Sequence, residues 1–358
     1  MMRTTAALGL TTALVGLLLG RAAVPEARAG QEVTLADDAY HYAAWANGSH
    51  DVAYTEWWYF NVVDAARGVR AIFSYFIANP DGVLEPARIR VVAVAYTGTG
   101  TVSAIDAYPA DAFSASAQQA DVVIGQCTIE VIDAETYRIA GESLDGRLAW
   151  DLVYVRAATS WFAADRMPVG RLAWEQMSWL VYMPRAHVRG WLAVDGRVWE
   201  IDSAGYHDHN WGEWIPTDAL WNWAQYSSPD LAFELGDFQG GATGLASVDA
   251  GGERTVFTKE QYTFAHTRWA FDEDERVWYP TESLLVADDG QRRLRVRITV
   301  EETVPLRGEL RFPLRDIIIF EQTARYEGRL WTRSPDGRWL LETVFHGEGF
   351  TEYTAKHR

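Results

Sequence analysis

Glu56-Trp57-Trp58-Tyr59-Phe60-Asn61-Val62-Val63, then Asp64-Ala65-Ala66-Arg67-Gly68, then Val69–Ala78 (VRAIFSYFIA) is the stretch on which the fold turns. Two runs rich in aromatic and β-branched residues flank a short polar loop that ends in glycine, which predicts a β-hairpin. Asn79-Pro80-Asp81-Gly82 follows as a second turn. The same grammar repeats outward. Arg88–Tyr96 and Thr101–Tyr108 surround Thr97-Gly98-Thr99-Gly100, and Arg147–Arg156 follows Leu144-Asp145-Gly146. Ala186–Val194 and Arg197–Ala204 surround Asp195-Gly196, a two-residue hairpin signal. After Leu220 a second series runs to the C-terminus, and no segment keeps a 3.6-residue period. Many short strands with turns every eight to twelve residues predict an all-β chain built as β-sandwich or β-barrel domains. Residues 157–173 and 265–282 break the rhythm, and the first of these reads as a loop or lid. Two β domains are expected, 31–214 and 215–358, packed together because no low-complexity linker separates them.

The N-terminus reads differently. Met1-Met2-Arg3, an apolar run from Ala6 to Gly20 and Ala27-Arg28-Ala29 have the basic, apolar and small-residue order of a secretory signal peptide over residues 1–29. Export to the periplasm or beyond is therefore expected, and no later segment is apolar enough to span a bilayer. The formal charge is −17. Residues 1–29 carry Arg3, Arg21, Arg28 and Glu26, a net of +2, so their removal leaves −19. A nucleic-acid partner is disfavoured, because phosphate binding needs a basic face. Cys127 is the only cysteine, which rules out an intrachain disulfide and fits a buried thiol in a strand. Asn47-Gly48-Ser49 has the form of a glycosylation acceptor, relevant only in a eukaryotic secretory pathway.

Chemistry concentrates in Gly205-Tyr206-His207-Asp208-His209-Asn210-Trp211-Gly212-Glu213-Trp214. Polar groups at this density need partners or a task if they are buried. His207 and His209 would share a strand face and could bind one ion, with Glu213 or another carboxylate completing it. There is no HExxH motif and no cysteine pair, hydrogen-bonded histidines are the preferred reading, and no metal is assigned. Nucleophilic hydrolysis has no Gly-x-Ser-x-Gly elbow to support it. Acid catalysis on an apolar substrate suits the residue types better. An apolar pocket keeps a carboxylic acid protonated, and aromatic faces stabilise a carbocation. Asp208 is the candidate donor, and Trp57, Trp58, Tyr59, Trp211, Trp214, Trp221 and Trp223 the candidate faces. A structural carboxylate accepting backbone hydrogen bonds is the competing reading of Asp208.

Glu56-Trp57-Trp58-Tyr59, Trp174–Pro184 (WEQMSWLVYMP), Gly205–Gly212 (GYHDHNWG) and Trp221-Asn222-Trp223 stand in an order that resembles the AttH/CrtC-like proteins, as does the tail Gly347–Glu352. That group includes carotenoid 1,2-hydratase (hydroxyneurosporene synthase) and many "predicted secreted hydrolases". The resemblance implies tandem lipocalin-like (calycin) β domains with an apolar pocket near their junction. It also implies proton-initiated hydration or cyclisation of an isoprenoid chain without an organic cofactor. Asp208 with His207 and His209 would be the acid centre, and Tyr206 and Trp211 would shape the cationic site. A non-catalytic lipid carrier and a metal-dependent hydrolase are the alternatives.

Overall fold

The computed structural model describes residues 32–45, 53–82, 86–241, 243–308 and 317–356. The signal-peptide reading of residues 1–29 and the Asn47 acceptor lie outside these residues. The structure is nearly all-β, two curled antiparallel sheets forming a barrel and a half-barrel.

The opening hairpin forms as read, from β1 (Tyr54–Asp64) and β2 (Val69–Ala78). It continues into β3 (Arg88–Thr97) and β4 (Gly100–Tyr108). Then come β5 (Phe113–Ala115), β6 (Val122–Ile124), β7 (Cys127–Asp133), β8 (Thr136–Glu142) and β9 (Leu148–Arg156). The series ends with β10 (Trp161–Pro168), β11 (Gln176–Val194) and β12 (Arg197–Glu213). The sheet order is β4-β3-β2-β1-β12-β11-β9-β8-β7-β6-β5, with β10 on β11. Thus the first long strand, β1, pairs with the last, β12.

The second sheet repeats this plan. Its strands are β13 (Trp221–Ser228), β14 (Leu231–Phe238), β15 (Gly244–Ala250), β16 (Glu253–Thr258) and β17 (Tyr262–Asp272). They are followed by β18 (Val277–Asp288), β19 (Arg292–Gly308), β20 (Ile317–Arg333) and β21 (Trp339–Lys356). The order is β16-β15-β14-β13-β21-β20-β19-β18-β17, so β13 again pairs with the final strand.

Two sequence expectations are corrected. Residues 157–173 are not a free lid, because Trp161–Pro168 pair with β11 and Trp161, Phe162, Ala163 and Ala164 are buried. Residues 265–282 are not irregular either; β17 and β18 pair through them as a long, largely exposed hairpin. Bulges near Ala164 and Arg268 break the alternation in both places and hid the strands.

Among the described residues the main apolar cores lie inside each sheet and between them, with a smaller cluster around Ile318, Phe320 and Ala355. Trp58, Phe60, Phe73, Trp150 and Leu180 fill the first sheet's interior, and Phe233, Leu235, Phe257 and Tyr326 the second's. Between the sheets, Tyr59, Val94, Trp179, Val181, Tyr206, Trp223 and Phe350 form a third core. β1 and the second half of β12, from Gly205 to Glu213, are buried on both faces, whereas the first half of β12 alternates between exposed and buried positions. Cys127 is buried in the first core. Among the described residues no helix is long and apolar enough to cross a membrane.

Candidate functional site

β12 runs between β1 and β11, with Trp57 opposite Asn210, Trp58 opposite His209, Tyr59 opposite Asp208 and Phe60 opposite His207. Successive side chains of a strand leave on opposite faces. Tyr206, Asp208 and Asn210 therefore point to the layer between the sheets, and His207, His209 and Trp211 into the first sheet's interior. The expected acid centre of Asp208 with both histidines is not one cluster: the sheet itself divides it.

On the interface face, Asp208 is 2 % exposed. Its Oδ2 accepts hydrogen bonds from Trp179 Nε1 and the Tyr206 hydroxyl, each at 2.8 Å, and its Oδ1 from Asn210 Nδ2 at 3.2 Å. Burial pushes the carboxyl up to about 7, against the opposing pull of those two Oδ2 donors and of His207. Trp179 reaches this position because β14 offers Gly236 beneath it; a Cβ there would lie 2.6 Å from the indole ring.

Asp208 opens onto a cavity of about 50 Å³ walled by Trp57, Tyr59, Met177, Trp179, Trp214, Trp221 and Trp223, with Glu352 at its edge. A second cavity of about 120 Å³ adjoins it and shares Trp57, Tyr59, Trp214, Trp221 and Glu352 as its wall. Phe76, Val92, Leu306 and Ile319 make the rest of that compartment mainly apolar. The partition is aromatic: the Trp57 ring stands 5.7 Å from Trp214 and 6.5 Å from Trp221. Tyr59 meets Trp223 edge-on at 5.1 Å. Of the tryptophans singled out from sequence, Trp57, Trp214, Trp221 and Trp223 thus reach the pocket. Trp58 and Trp211 do not; both lie in the first sheet's core.

Two carboxyls missed by sequence reading share the pocket. Glu321 on β20 and Glu352 on β21 are direct cross-strand partners. Trp221 Nε1 donates to Glu352 Oε2 at 2.7 Å, and the Tyr59 hydroxyl to Glu321 Oε1 at 3.4 Å. Burial raises both acids, and their mutual repulsion raises Glu321 further, so the pair favours a shared proton. The one signal available was a glutamate breaking the apolar run Ile317-Ile318-Ile319-Phe320.

The opposite face of β12 holds a separate polar nest. His207 stacks on Phe60 at 3.9 Å, with Nδ1 2.9 Å from the Tyr59 carbonyl and Nε2 2.9 Å from Asp38 Oδ2. His209 lies between Asp38 and Glu56, its Nδ1 3.2 Å from Asp38 Oδ1 and its Nε2 2.9 Å from Glu56 Oε1. Burial alone would lower the His209 pKa, but these carboxylates outweigh it and raise it. His207 Nε2 is engaged with Asp38, so His207 and His209 do not converge on one point. His41, Glu56 and His209 instead offer three donor atoms within 4.8 Å of one another.

The comparisons bear on the architecture. An AttH candidate from Nitrosomonas europaea (NE1406) superposes with a TM-score of 0.65 at 14% identity, over 91% of this chain and 98% of that one. The fold is AttH-like. CghA with Sch210972 matches at a TM-score of 0.60 and 13% identity, over 85% of this chain and 88% of that one. A second structure of CghA gives 0.55 at 13% identity, over 84% and 87%. No family model and no curated protein matches the sequence. At such identities the AttH-like likeness is one of fold.

Proposed function

We propose that this protein is exported, binds an apolar, isoprenoid-like molecule in the cleft between its sheets, and protonates a C=C bond of that ligand from Asp208. The observation that carries this reading is the Asp208 carboxyl, buried at the wall of an aromatic cavity and held there by Trp179 and Tyr206. A carboxylic acid so placed transfers its proton to one alkene carbon: the C–H bond forms as the π bond breaks, and the other carbon becomes cationic. Trp57, Trp221, Trp223 and Tyr59 present π-faces to that charge. Water then adds and loses a proton, giving the alcohol, or a second C=C attacks and a proton leaves, giving a cyclic isomer. The Glu321–Glu352 pair lies on the same cleft and is a suitable acceptor for the departing proton. CghA, of similar fold, was solved with Sch210972, which favours a ligand site in this architecture. The order of basic, apolar and small residues at the N-terminus supports export.

The test is mass spectrometry of lipids co-purifying with wild-type protein and with Asp208→Asn. The expected outcome is a common bound species in both, with its hydrated (about 18 mass units heavier) or isomeric product only in wild type. Product formation unchanged in Asp208→Asn would remove Asp208 as the acid. A bound lipid that wild-type protein never converts would establish the carrier reading, which the same enclosed cleft serves.

A further inference from the structure

We propose that His41, Glu56 and His209 form a binding site for a divalent transition metal on the inner face of the first sheet. The argument begins with the protons of His209. A neutral imidazole carries one N–H, yet both nitrogens of this fully buried ring face carboxylate oxygens, Asp38 Oδ1 at 3.2 Å and Glu56 Oε1 at 2.9 Å. Whichever nitrogen holds the hydrogen, the other directs a lone pair at a carboxylate. A further proton, on the imidazole or on the facing carboxyl, or a metal ion would relieve that contact.

His41 separates the two. Its Nδ1 stands 3.5 Å from the same Glu56 Oε1, is buried, and makes no hydrogen bond. A proton on His209 leaves that nitrogen with only a long contact to Glu56, whereas a metal ion would use it as a third donor beside His209 and Glu56. Coordination through His209 Nε2, Glu56 Oε1 and His41 Nδ1 leaves the His209 Nδ1–H to donate to Asp38 Oδ1, 3.2 Å away. That is the carboxylate–histidine–metal relay by which proteins orient a ligating imidazole.

The surroundings hold the donors in place. The Tyr54 hydroxyl donates to Glu56 Oε2 at 2.6 Å, and the His41 backbone N–H to Oε1 at 2.9 Å. Trp58 stacks on His209 at 4.5 Å, and Trp211 lies parallel to His41 at 3.9 Å. Entry is available, because His41 and Trp211 also wall a cavity of about 140 Å³ beside Trp45, Phe162, Asp165 and Arg166. Two imidazoles and one carboxylate suit zinc or iron(II), cobalt(II) and manganese(II), and three protein ligands leave coordination positions for water. The site is independent of the acid role of Asp208, whose side chain leaves β12 on the other face.

Full-length protein stripped with a chelator and titrated with Zn²⁺ against a chromophoric competitor tests this. One ion per chain is expected, bound in wild type at least about 100-fold more tightly than in His41→Ala, and about tenfold more tightly than in Asp38→Asn. His187→Ala, whose imidazole sits on the surface beside Asp202, should bind like wild type. Cobalt substitution should give visible d–d bands that His41→Ala abolishes. His41 lies at the start of a single helical turn and is 19 % exposed, so its loss leaves the sheets intact, and melting of the metal-free variant verifies this. No binding up to about 100 μM Zn²⁺, or equal binding by wild type and His41→Ala, overturns the proposal.

Discussion

The buried acids of this chain divide by their neighbours. Asp38 and Glu56 face histidines, which hold both carboxyls below the usual range in spite of burial. Glu234 faces a drier setting. It is fully buried, accepts a hydrogen bond from the Ser247 hydroxyl, and burial pushes it up to about 7 despite the charge of Arg254. A carboxyl whose pKa rises on folding supports the folded state below its unfolded value near 4.5, and that support is lost as pH rises through about 7. The shift corresponds to roughly 3 kcal/mol by pH 8. Glu234→Gln should therefore gain stability relative to wild type between pH 5 and pH 8, by an amount of that order. Urea unfolding at the two pH values measures it, and a difference independent of pH would sink the assignment. From Leu231–Phe238 alone, Glu234 would be placed on a solvent face, since Phe233 and Leu235 claim the interior. Only the second sheet's contact with the first closes that face off.

Among the elements, β11 shows how one strand can serve two partners. Its N-terminal part pairs with β10 and its C-terminal part, from Ala186, with β9. The change falls at Pro184, which has no N–H for a ladder, and register shifts flank Met183. The strand β10 escaped sequence reading for a local reason. Arg166 has a φ of 50° and stacks over Trp45 at 4.0 Å, so the polar pair Asp165-Arg166 belongs to a bulge and not to a loop. Amide hydrogen exchange should show slow exchange for the β11-paired positions in 161–168, comparable to those in β9, because these amides are paired and largely buried. Exchange at the rate of an open loop would restore the lid.

For the molecule as a whole, the middle layer joins the two halves. Asn61 Nδ2 donates to Gln225 Oε1 at 3.0 Å, the Tyr96 hydroxyl to the Glu321 carbonyl at 2.8 Å, and Arg70 Nε to Glu348 Oε2 at 2.7 Å. These bonds accompany an apolar core to which both sheets contribute. Separating the halves would expose that core and leave buried polar groups unpaired. A single calorimetric transition is expected, with calorimetric and van't Hoff enthalpies equal. Two resolved transitions would mean that the interface contributes little.

What the sequence by itself determined was local. Turn residues and aromatic runs set the all-β class, and His207-Asp208-His209 marked a strand whose polar groups require partners. A strand's two-residue period also fixes that Asp208 and its neighbouring histidines leave on opposite faces. It does not say what each face meets. Asp38, His41 and Glu56 reach the histidines from the far end of the first sheet's sequence, while Trp179 and Glu352 come to the Asp208 pocket from β11 and β21. Only the tertiary structure decided these meetings, because cross-sheet contacts depend on strand order and on which surfaces the two sheets bury together. Neither leaves a mark within a ten-residue window.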